Sequence, residues 1–225
     1  MGTYVVGDIH GCYDEWMALK HTIECQDRKA VFILLGDILD RGCKTRRLLI
    51  WCMLHISKNG RYQMVIENHE YEQVKHEKNL LKRWFLCRLP FYKDINVNGQ
   101  RFIIAHADLP GSVVKEDGSL KENSELTEGE RYEIVWNRST EEFSDIPDAI
   151  LIHGHTPTLF EEAFAPGDYE VRRLGRVYHN GNSINVDCGI GYLQRRFRRL
   201  ASVRLEDMQE FYYCFSNNTL NQRGG

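Results

Sequence analysis

Long apolar runs are missing from this sequence. No stretch approaches the roughly 20 apolar residues that a membrane-spanning helix needs, so we expect no contact with a membrane. The first residues, MGTYVVGDIHG, reach Asp8 and His10 before any apolar run of the length found in signal peptides. We therefore expect a cytoplasmic protein.

Paired cysteines and an excess of one charge are missing too. The seven cysteines are scattered, odd in number and without a C-x-x-C pair, which favours free thiols in a reducing compartment over disulfides. A formal net charge of -3 gives no broad basic surface, so we expect no nucleic-acid partner. Without an internal repeat or an evident linker, the chain is predicted to form a single domain over residues 1–225.

Three catalytic motifs are absent. There is no G-x-S-x-G nucleophile motif, and no cysteine has an arginine six positions later, as a cysteine-based phosphatase would need. GDILDRGCKT resembles a P-loop, but Cys43 stands between the second glycine and Lys44, where a P-loop requires lysine directly after glycine. The sequence thus contains neither motif for a covalent nucleophile and no P-loop.

What the sequence does contain is a series of apolar runs that end in polar loops. Residues 4–6, 30–35 and 62–66 are predicted strands, and a predicted helix follows each of them. The first helix is predicted over residues 13–24 and the third from the polar loop to about Arg83. Three strand-loop-helix units in succession predict parallel pairing with right-handed crossovers.

The second half of the chain has a different pattern. Asn98-Gly99 between two short β-prone runs predicts a hairpin of residues 95–97 and 101–105. Residues 111–130 show no clear period and are predicted to be an exposed segment without regular structure. The remaining predicted strands are residues 149–152 and three closing antiparallel strands, 183–186, 200–205 and 210–215. The chain is therefore predicted to have an α/β fold whose second half is rich in sheet.

Polar residues of a few types follow five of the predicted strands. These residues are Asp8, His10, Asp37, Asp40, Arg41, Asn68, His69, His106 and His155. Because ligand sites in open α/β sheets form outside the carboxyl ends of the strands, these side chains could converge on one point. Imidazole, carboxylate and amide oxygen are suitable ligands for Mn, Fe or Zn. Two such ions sharing a carboxylate can hold both oxygens of an in-line displacement at phosphorus.

Five motifs in order, GDIHG, GDILDRG, NHE, HAD and HGHTP, resemble the phosphoprotein phosphatase (PPP) family of metallophosphoesterases. VWNR and NVDCG resemble its compact bacterial and phage serine/threonine phosphatase branch. The resemblance covers residues 4 to about 190. It implies a calcineurin-like metallophosphoesterase fold, in which helices flank a β-sandwich-like pair of mixed sheets and the metal site lies at the carboxyl ends of strands.

The resemblance also implies a role for each motif residue. The expected metal ligands are Asp8 and His10 for the first ion, Asp37 as the bridge, and Asn68, His106 and His155 for the second ion. His69 is expected to be the general acid, and Asp40 is expected to hold its side chain. A serine alkoxide is a poor leaving group, so its departure gains from a proton donor. The expected phosphate ligands are Arg41, Arg138 and Asn68. Planar guanidinium groups match the geometry of phosphate.

The implied function is a dimetal-dependent phosphomonoesterase, with a serine/threonine protein phosphatase expected first. Metal-bound hydroxide would attack the phosphate directly, and phosphoproteins or phosphopeptides would be the substrates. Symmetrical dinucleoside tetraphosphate hydrolases share these motifs, so a dinucleoside polyphosphate remains an alternative substrate. Two divalent ions are expected, with manganese first and iron or zinc as alternatives.

Two features depart from the family pattern. Glu67 stands where the family has glycine before the asparagine of NHE. The residue could strain the turn, repel phosphate or raise the pKa of His69, or it could turn outward without effect. We expect activity that survives but is reduced, and a phosphate-binding module that has lost catalysis is a lesser alternative. The basic run RRFRR, residues 195–199, could be a solvated turn or could steer acidic substrates towards the site.

Overall fold

The computed structural model describes residues 1–138, 143, 146, 148–194, 196–214 and 220–223. The helices are α1 (Tyr13–Gln26), α2 (Thr45–His55), α3 (Asn68–His76), α4 (Leu80–Leu86) and α5 (Glu128–Trp136). The strands are β1 (Thr3–Val6), β2 (Val31–Leu34), β3 (Tyr62–Met64), β4 (Tyr92–Val97), β5 (Gln100–Ala105), β6 (Ala149–His153), β7 (Tyr178–Asn180), β8 (Ser183–Asn185), β9 (Arg199–Arg204), β10 (Gln209–Cys214) and β11 (Leu220–Arg223). None of the described helices is both long and apolar enough to cross a membrane.

The strands form two mixed sheets. The first has six strands in the order β11-β10-β9-β1-β2-β3, and the second has five in the order β4-β5-β6-β8-β7. As predicted, β1, β2 and β3 pair in parallel, and β9 and β10 close the first sheet as antiparallel strands. The predicted hairpin of β4 and β5 is also present in the second sheet.

One apolar layer lies between the two sheets. Val5 and Ile33 of the first sheet belong to one buried cluster with Phe102 and Ile152 of the second. On the other face of the first sheet, Trp16 of α1 packs edge-on against Phe32 of β2, with ring centroids 5.5 Å apart. Strand β2 is therefore covered on both faces, which explains its continuous apolar sequence.

Three predictions about secondary structure were wrong. The third helix is not continuous to Arg83, because α3 ends at His76 and a new helix, α4, begins after Asn79, whose side chain accepts a hydrogen bond from Lys82 N. Strand β8, predicted to be antiparallel, pairs in parallel with β6 and is antiparallel only to β7, which was not predicted.

The third wrong prediction concerns the segment 111–130, whose last residues begin helix α5. Thr127 and Glu130 form a capping box in which each side chain accepts a hydrogen bond from the other residue's backbone N–H. The T-x-x-E pattern of this box was visible in the sequence. Helix α5 carries the VWNR motif towards the carboxyl ends of the parallel strands.

Candidate functional site

The first and last of the five motifs meet directly. Asp8 follows β1, His155 follows β6, and the backbone N–H of His155 donates to Asp8 Oδ2 over 3.0 Å. Gly154 allows this approach, because a Cβ at that position would lie 2.4 Å from Asp8 Oδ1. Gly7 packs equally closely on Val186, where a Cβ would lie 2.3 Å from the carbonyl oxygen. These contacts join the two sheets at the site.

His10 lies between two carboxylates. Its Nε2 is 2.9 Å from Asp37 Oδ2, and its Nδ1 is 2.5 Å from Asp40 Oδ1. Burial disfavours the charged imidazole, but Asp37 and Asp40 outweigh burial and raise the pKa of His10 to about 10. Burial also works against ionisation of Asp40, but the hydrogen bond and charge of His10, with Arg41, lower the pKa of Asp40 to about 2. Asp40 is therefore a carboxylate at neutral pH.

A second group of ligand-type side chains surrounds His106. Its Nε2 lies 3.0 Å from Asn68 Oδ1 and 3.1 Å from His155 Nδ1, while its Nδ1 lies 3.0 Å from the carbonyl oxygen of Leu35. Burial lowers the pKa of His106 well below its ordinary value. Burial and the nearby charge of Arg138 lower the pKa of His155 to about 3. Both imidazoles are therefore neutral at neutral pH, the form that binds a cation, whereas His10, protonated between its two carboxylates, would release its proton on binding one.

The backbone is unusual at several of these positions. Seven non-glycine residues of the described chain have positive φ, and four of them, His10, Asp37, Arg41 and His155, lie at this site. Such left-handed conformations cost on the order of 1–3 kcal/mol each and persist where the surrounding structure enforces them. This concentration of strained residues at one place is typical of a functional site.

Several buried polar atoms at the site have no hydrogen-bond partner among the described residues. These atoms are Asp8 Oδ1, Asp37 Oδ1, His155 Nε2 and Asp187 Oδ2. Leaving buried polar atoms unpaired is costly, and a bound cation would satisfy such oxygen and nitrogen donors. Asp8, Asp37 and His106 offer ligand atoms within 4.8 Å of one another, and so do His10, Asp37 and Asp40. A third such group is formed by Asp37, Glu67 and His69, so Asp37 belongs to all three groups, and their oxygen and nitrogen atoms suit divalent cations.

The residues expected to contact phosphate lie beside these groups. His69 Nε2 is 3.6 Å from Asp40 Oδ2, and the His69 side chain is 38% exposed, so a substrate can reach it. The Arg41 guanidinium lies over the ring of Tyr192, 4.6 Å from its centroid. Arg138 Nη1 donates to Thr156 Oγ1 over 3.3 Å. The structure thus brings every motif residue of the sequence prediction to one end of the molecule.

One acidic residue of the site was not assigned from the sequence. Asp187 of the NVDCG motif is buried, and its Oδ1 accepts a hydrogen bond from Gly189 N over 2.9 Å. Burial and the negative charges of Asp187 and Asp37 raise the pKa of Asp8. A clue was available, because Asp187 follows a predicted strand just as Asp8 does.

The expectations for Glu67 were wrong in two respects. Its backbone is extended, with φ -119° and ψ 179°, so the residue is not in the left-handed region and does not strain the turn. Its side chain does not turn outward but is completely buried. The carboxylate caps helix α3 by accepting hydrogen bonds from His69 N and Glu70 N, each over 2.6 Å.

The basic run 195–199 is only partly exposed. Arg199 Nη1 donates to the carbonyl oxygens of Leu174 and Gly175, so this arginine holds two loop segments together. Arg196 is exposed, and Arg195 lies outside the described residues. The run is therefore not simply a solvated turn.

Comparison with known proteins places this geometry among phosphoesterases. The family model described as calcineurin-like phosphoesterase matches residues 1–188. The symmetrical bis(5'-nucleosyl)-tetraphosphatase of Escherichia coli strain K12/DH10B is 37% identical over 70 residues, which are 31% of this chain and 24% of that protein. The match therefore spans about a quarter of the length of these curated relatives.

Solved structures share the fold at low sequence identity. A serine/threonine phosphatase of Saccharomyces cerevisiae with similarity to human phosphatase PP5 has a TM-score of 0.59 and 14% identity, covering 99% of this chain and 79% of that chain. A candidate diadenosine tetraphosphatase has a TM-score of 0.61 and 15% identity, covering 96% and 95%. A metallophosphoesterase of Sphaerobacter thermophilus has a TM-score of 0.57 and 15% identity, covering 96% and 89%. At these identities the likeness concerns the fold alone.

Proposed function

The chain belongs to the calcineurin-like phosphoesterase family, and on that premise we propose that it is a dimetal-dependent phosphomonoesterase acting on phosphoserine and phosphothreonine in proteins. The observation that carries the proposal is the meeting of two ligand groups on Asp37 with His69 beside them. A hydrolase for phosphate monoesters needs both a cation site and a proton donor for the alkoxide.

The proposed metal ligands are the motif residues that the fold gathers. They are Asp8 and His10 for one ion, Asp37 as the bridge, and Asn68, His106 and His155 for the other. When bound, the two ions supply Lewis acidity towards the phosphoryl oxygens and lower the pKa of water. We propose manganese, because the donors are a mixture of imidazole nitrogen with carboxylate and amide oxygen.

The proposed phosphate ligands are Arg41, Arg138 and Asn68. The two guanidinium groups each offer a planar pair of N–H donors, which suits the oxygens of a phosphate dianion. The ring of Tyr192 supports the Arg41 guanidinium from one side, so this donor is held in place before substrate arrives. Arg138 is positioned in the same way by its hydrogen bond to Thr156 Oγ1.

His69 is the proposed general acid. Its Nε2 would give a proton to the alkoxide of serine or threonine as the bond to phosphorus breaks. Asp40, which is charged at neutral pH, lies 3.6 Å from that nitrogen and orients the imidazole. The other oxygen of Asp40 contacts His10 Nδ1, so one carboxylate links the proton donor to a proposed metal ligand.

A symmetrical dinucleoside tetraphosphate hydrolase is the second candidate. The observation in its favour is the 37% identity over 70 residues to the symmetrical tetraphosphatase of Escherichia coli. The same phosphate ligands would then bind an inner phosphate, and the leaving group would be a nucleotide instead of an alkoxide. Such a leaving group depends less on a proton donor than an alkoxide does.

One assay separates the two candidates. Purified protein with added manganese is offered a phosphoserine peptide and diadenosine tetraphosphate at equal concentrations, with a chelator control. If the protein is a phosphoserine phosphatase, we expect it to release inorganic phosphate from the peptide faster than it hydrolyses the dinucleotide, and we expect the chelator to abolish this release. Faster hydrolysis of the dinucleotide would favour the second candidate. Metal binding without hydrolysis of either compound or of p-nitrophenyl phosphate would favour a phosphate-binding module.

A further inference from the structure

Glu67 is placed inside the protein, directly beside the catalytic loops. The residue is completely buried, and its Cβ and Cγ fill the space next to Gly36. A Cβ on Gly36, which has a φ of +99°, would lie 2.9 Å from both of these atoms. The loop that begins at Gly36 is therefore built around the side chain of Glu67.

The carboxylate of Glu67 fixes the backbone at the start of helix α3. Oε2 accepts a hydrogen bond from His69 N and Oε1 accepts one from Glu70 N, each over 2.6 Å. An acceptor at this position satisfies two of the N–H groups that a helix N-terminus leaves unpaired. The first bond restrains His69, which carries the proposed proton donor, and the second restrains the next residue of the helix.

Glu70 extends this restraint to the second loop of the site. It is completely buried, and its Oε1 accepts a hydrogen bond from Ile38 N over 3.0 Å. Ile38 lies between Asp37 and Asp40, the partner of His69. The two glutamates therefore hold both sides of the His69–Asp40 contact, one through the helix and the other through the loop.

We propose that Glu67 is a positioning residue that sets the His69 imidazole against Asp40 for proton donation to the leaving group. This inference rests on the proposed role of His69 as the general acid. It reverses the effect first expected from the sequence: replacing Glu67 with glycine should lower turnover instead of restoring it. Glu67 hydrogen-bonds to the backbone of α3, and its carboxyl oxygen lies within 4.8 Å of ligand-type atoms of Asp37 and His69.

The ratio of the rates on two substrates distinguishes a positioning residue from a purely structural one, because a purely structural substitution would leave that ratio unchanged. Nitrophenolate leaves without help from an acid, whereas a serine alkoxide needs a proton. Loss of the acid's alignment should therefore reduce hydrolysis of a phosphoserine peptide far more than hydrolysis of p-nitrophenyl phosphate. A general loss of folded protein would reduce both rates by the same factor.

The test compares three substitutions in the full chain. Glu67→Leu keeps much of the side-chain volume and removes both acceptor oxygens. Glu67→Gly also removes both oxygens and adds no bulk, so it serves if the leucine variant fails to fold. Glu67→Asp retains a carboxylate of the kind favoured at N-caps. Asn79→Ala is the matched control, since it removes the side-chain cap of the neighbouring helix α4, away from the site.

We expect Glu67→Leu to lower kcat on the phosphoserine peptide about 10- to 100-fold while kcat on p-nitrophenyl phosphate stays within about threefold. Glu67→Asp should recover most of the loss, and Asn79→Ala should change both rates equally. An equal loss on both substrates in Glu67→Leu and in Glu67→Gly would overturn the positioning role.

Two measurements without metal or substrate keep this inference separate from the proposed function. Amide hydrogen exchange at His69 and Glu70 should accelerate more than tenfold in Glu67→Leu, and a crystal structure of that variant should show His69 Nε2 farther than 3.6 Å from Asp40 Oδ2. Unchanged exchange and an unchanged distance would refute the inference. If the unsubstituted chain hydrolysed neither compound, the proposed function would fail, and these two measurements would still decide the positioning role.

Discussion

Asp8 and His155, 147 positions apart in the chain, are joined by a hydrogen bond of 3.0 Å from His155 N to Asp8 Oδ2. The bond connects the loop after β1 in one sheet to the loop after β6 in the other. It explains why ligand-type residues from both halves of the chain surround Asp37. The two sheets must pack correctly before this site forms, so the site depends on the whole fold.

Replacing Arg138 should weaken substrate capture. Arg138→Ala removes one charged donor from the proposed phosphate site, and hydrogen bonds to charged groups are worth about 1.5–3 kcal/mol. We therefore expect kcat/KM on a phosphoserine peptide to fall about 10- to 100-fold. Steady-state kinetics with Arg172→Ala as the control measures this, because Arg172 is exposed and pairs only locally with Glu170. An unchanged kcat/KM would remove Arg138 from the site.

The capping box of α5 should make stability depend on pH. The hydrogen bond from Lys121, 2.6 Å from Glu130 Oε1, is the main reason why the pKa of Glu130 falls from 4.5 to about 2. A lowered carboxyl pKa stabilises the folded state above pH 4.5, and this contribution is lost as the pH falls towards 2.

Glu130→Gln should therefore cost about 1–2 kcal/mol of unfolding free energy at pH 7. The difference from the unsubstituted protein should shrink as the pH is lowered to 3. Urea unfolding of both proteins at several pH values measures it. A difference that stayed constant over that range would show that the charge of Glu130 contributes nothing.

The basic run after residue 194 should contribute to stability through one of its arginines. Arg199→Gln removes the donor to Leu174 O and Gly175 O and should cost about 1–3 kcal/mol, or roughly 2–12 °C in melting temperature. Arg196→Gln, at an exposed position, is the matched control and should leave the melting temperature unchanged. If Arg196→Gln altered the salt dependence of kcat/KM, the run would also steer substrate.

The strand and helix patterns indicated an α/β fold, and the polar residues after five strands indicated where a site could form, whereas the calcineurin-like fold and the role of each residue were implied by the resemblance to the PPP family. Metal and phosphate binding require particular residue types, and these residues stand at strand ends, so the motifs can be recognised in the sequence without a structure. The predicted calcineurin-like fold is confirmed by the family match and by the solved structures. The roles assigned to single residues remain proposals.

The errors arose where tertiary contacts decide local structure. Strand β8 looks like any closing strand in sequence, but its direction follows from its place beside β6. Glutamate is an ionisable residue type that favours the surface, and nothing local reveals that Glu67 will be held inside by two backbone N–H groups. Helix α5 was missed although the T-x-x-E pattern of its capping box is a local signal and the apolar residues Ile134 and Val135 follow it.

We propose that two cations share Asp37. Anomalous diffraction at the manganese edge from crystals soaked in manganese tests it most directly. We expect two peaks, one on each side of the Asp37 carboxylate, with Asp8 and His10 around one and Asn68, His106 and His155 around the other. No peak at Asp37, or peaks bound by other residues, would contradict it.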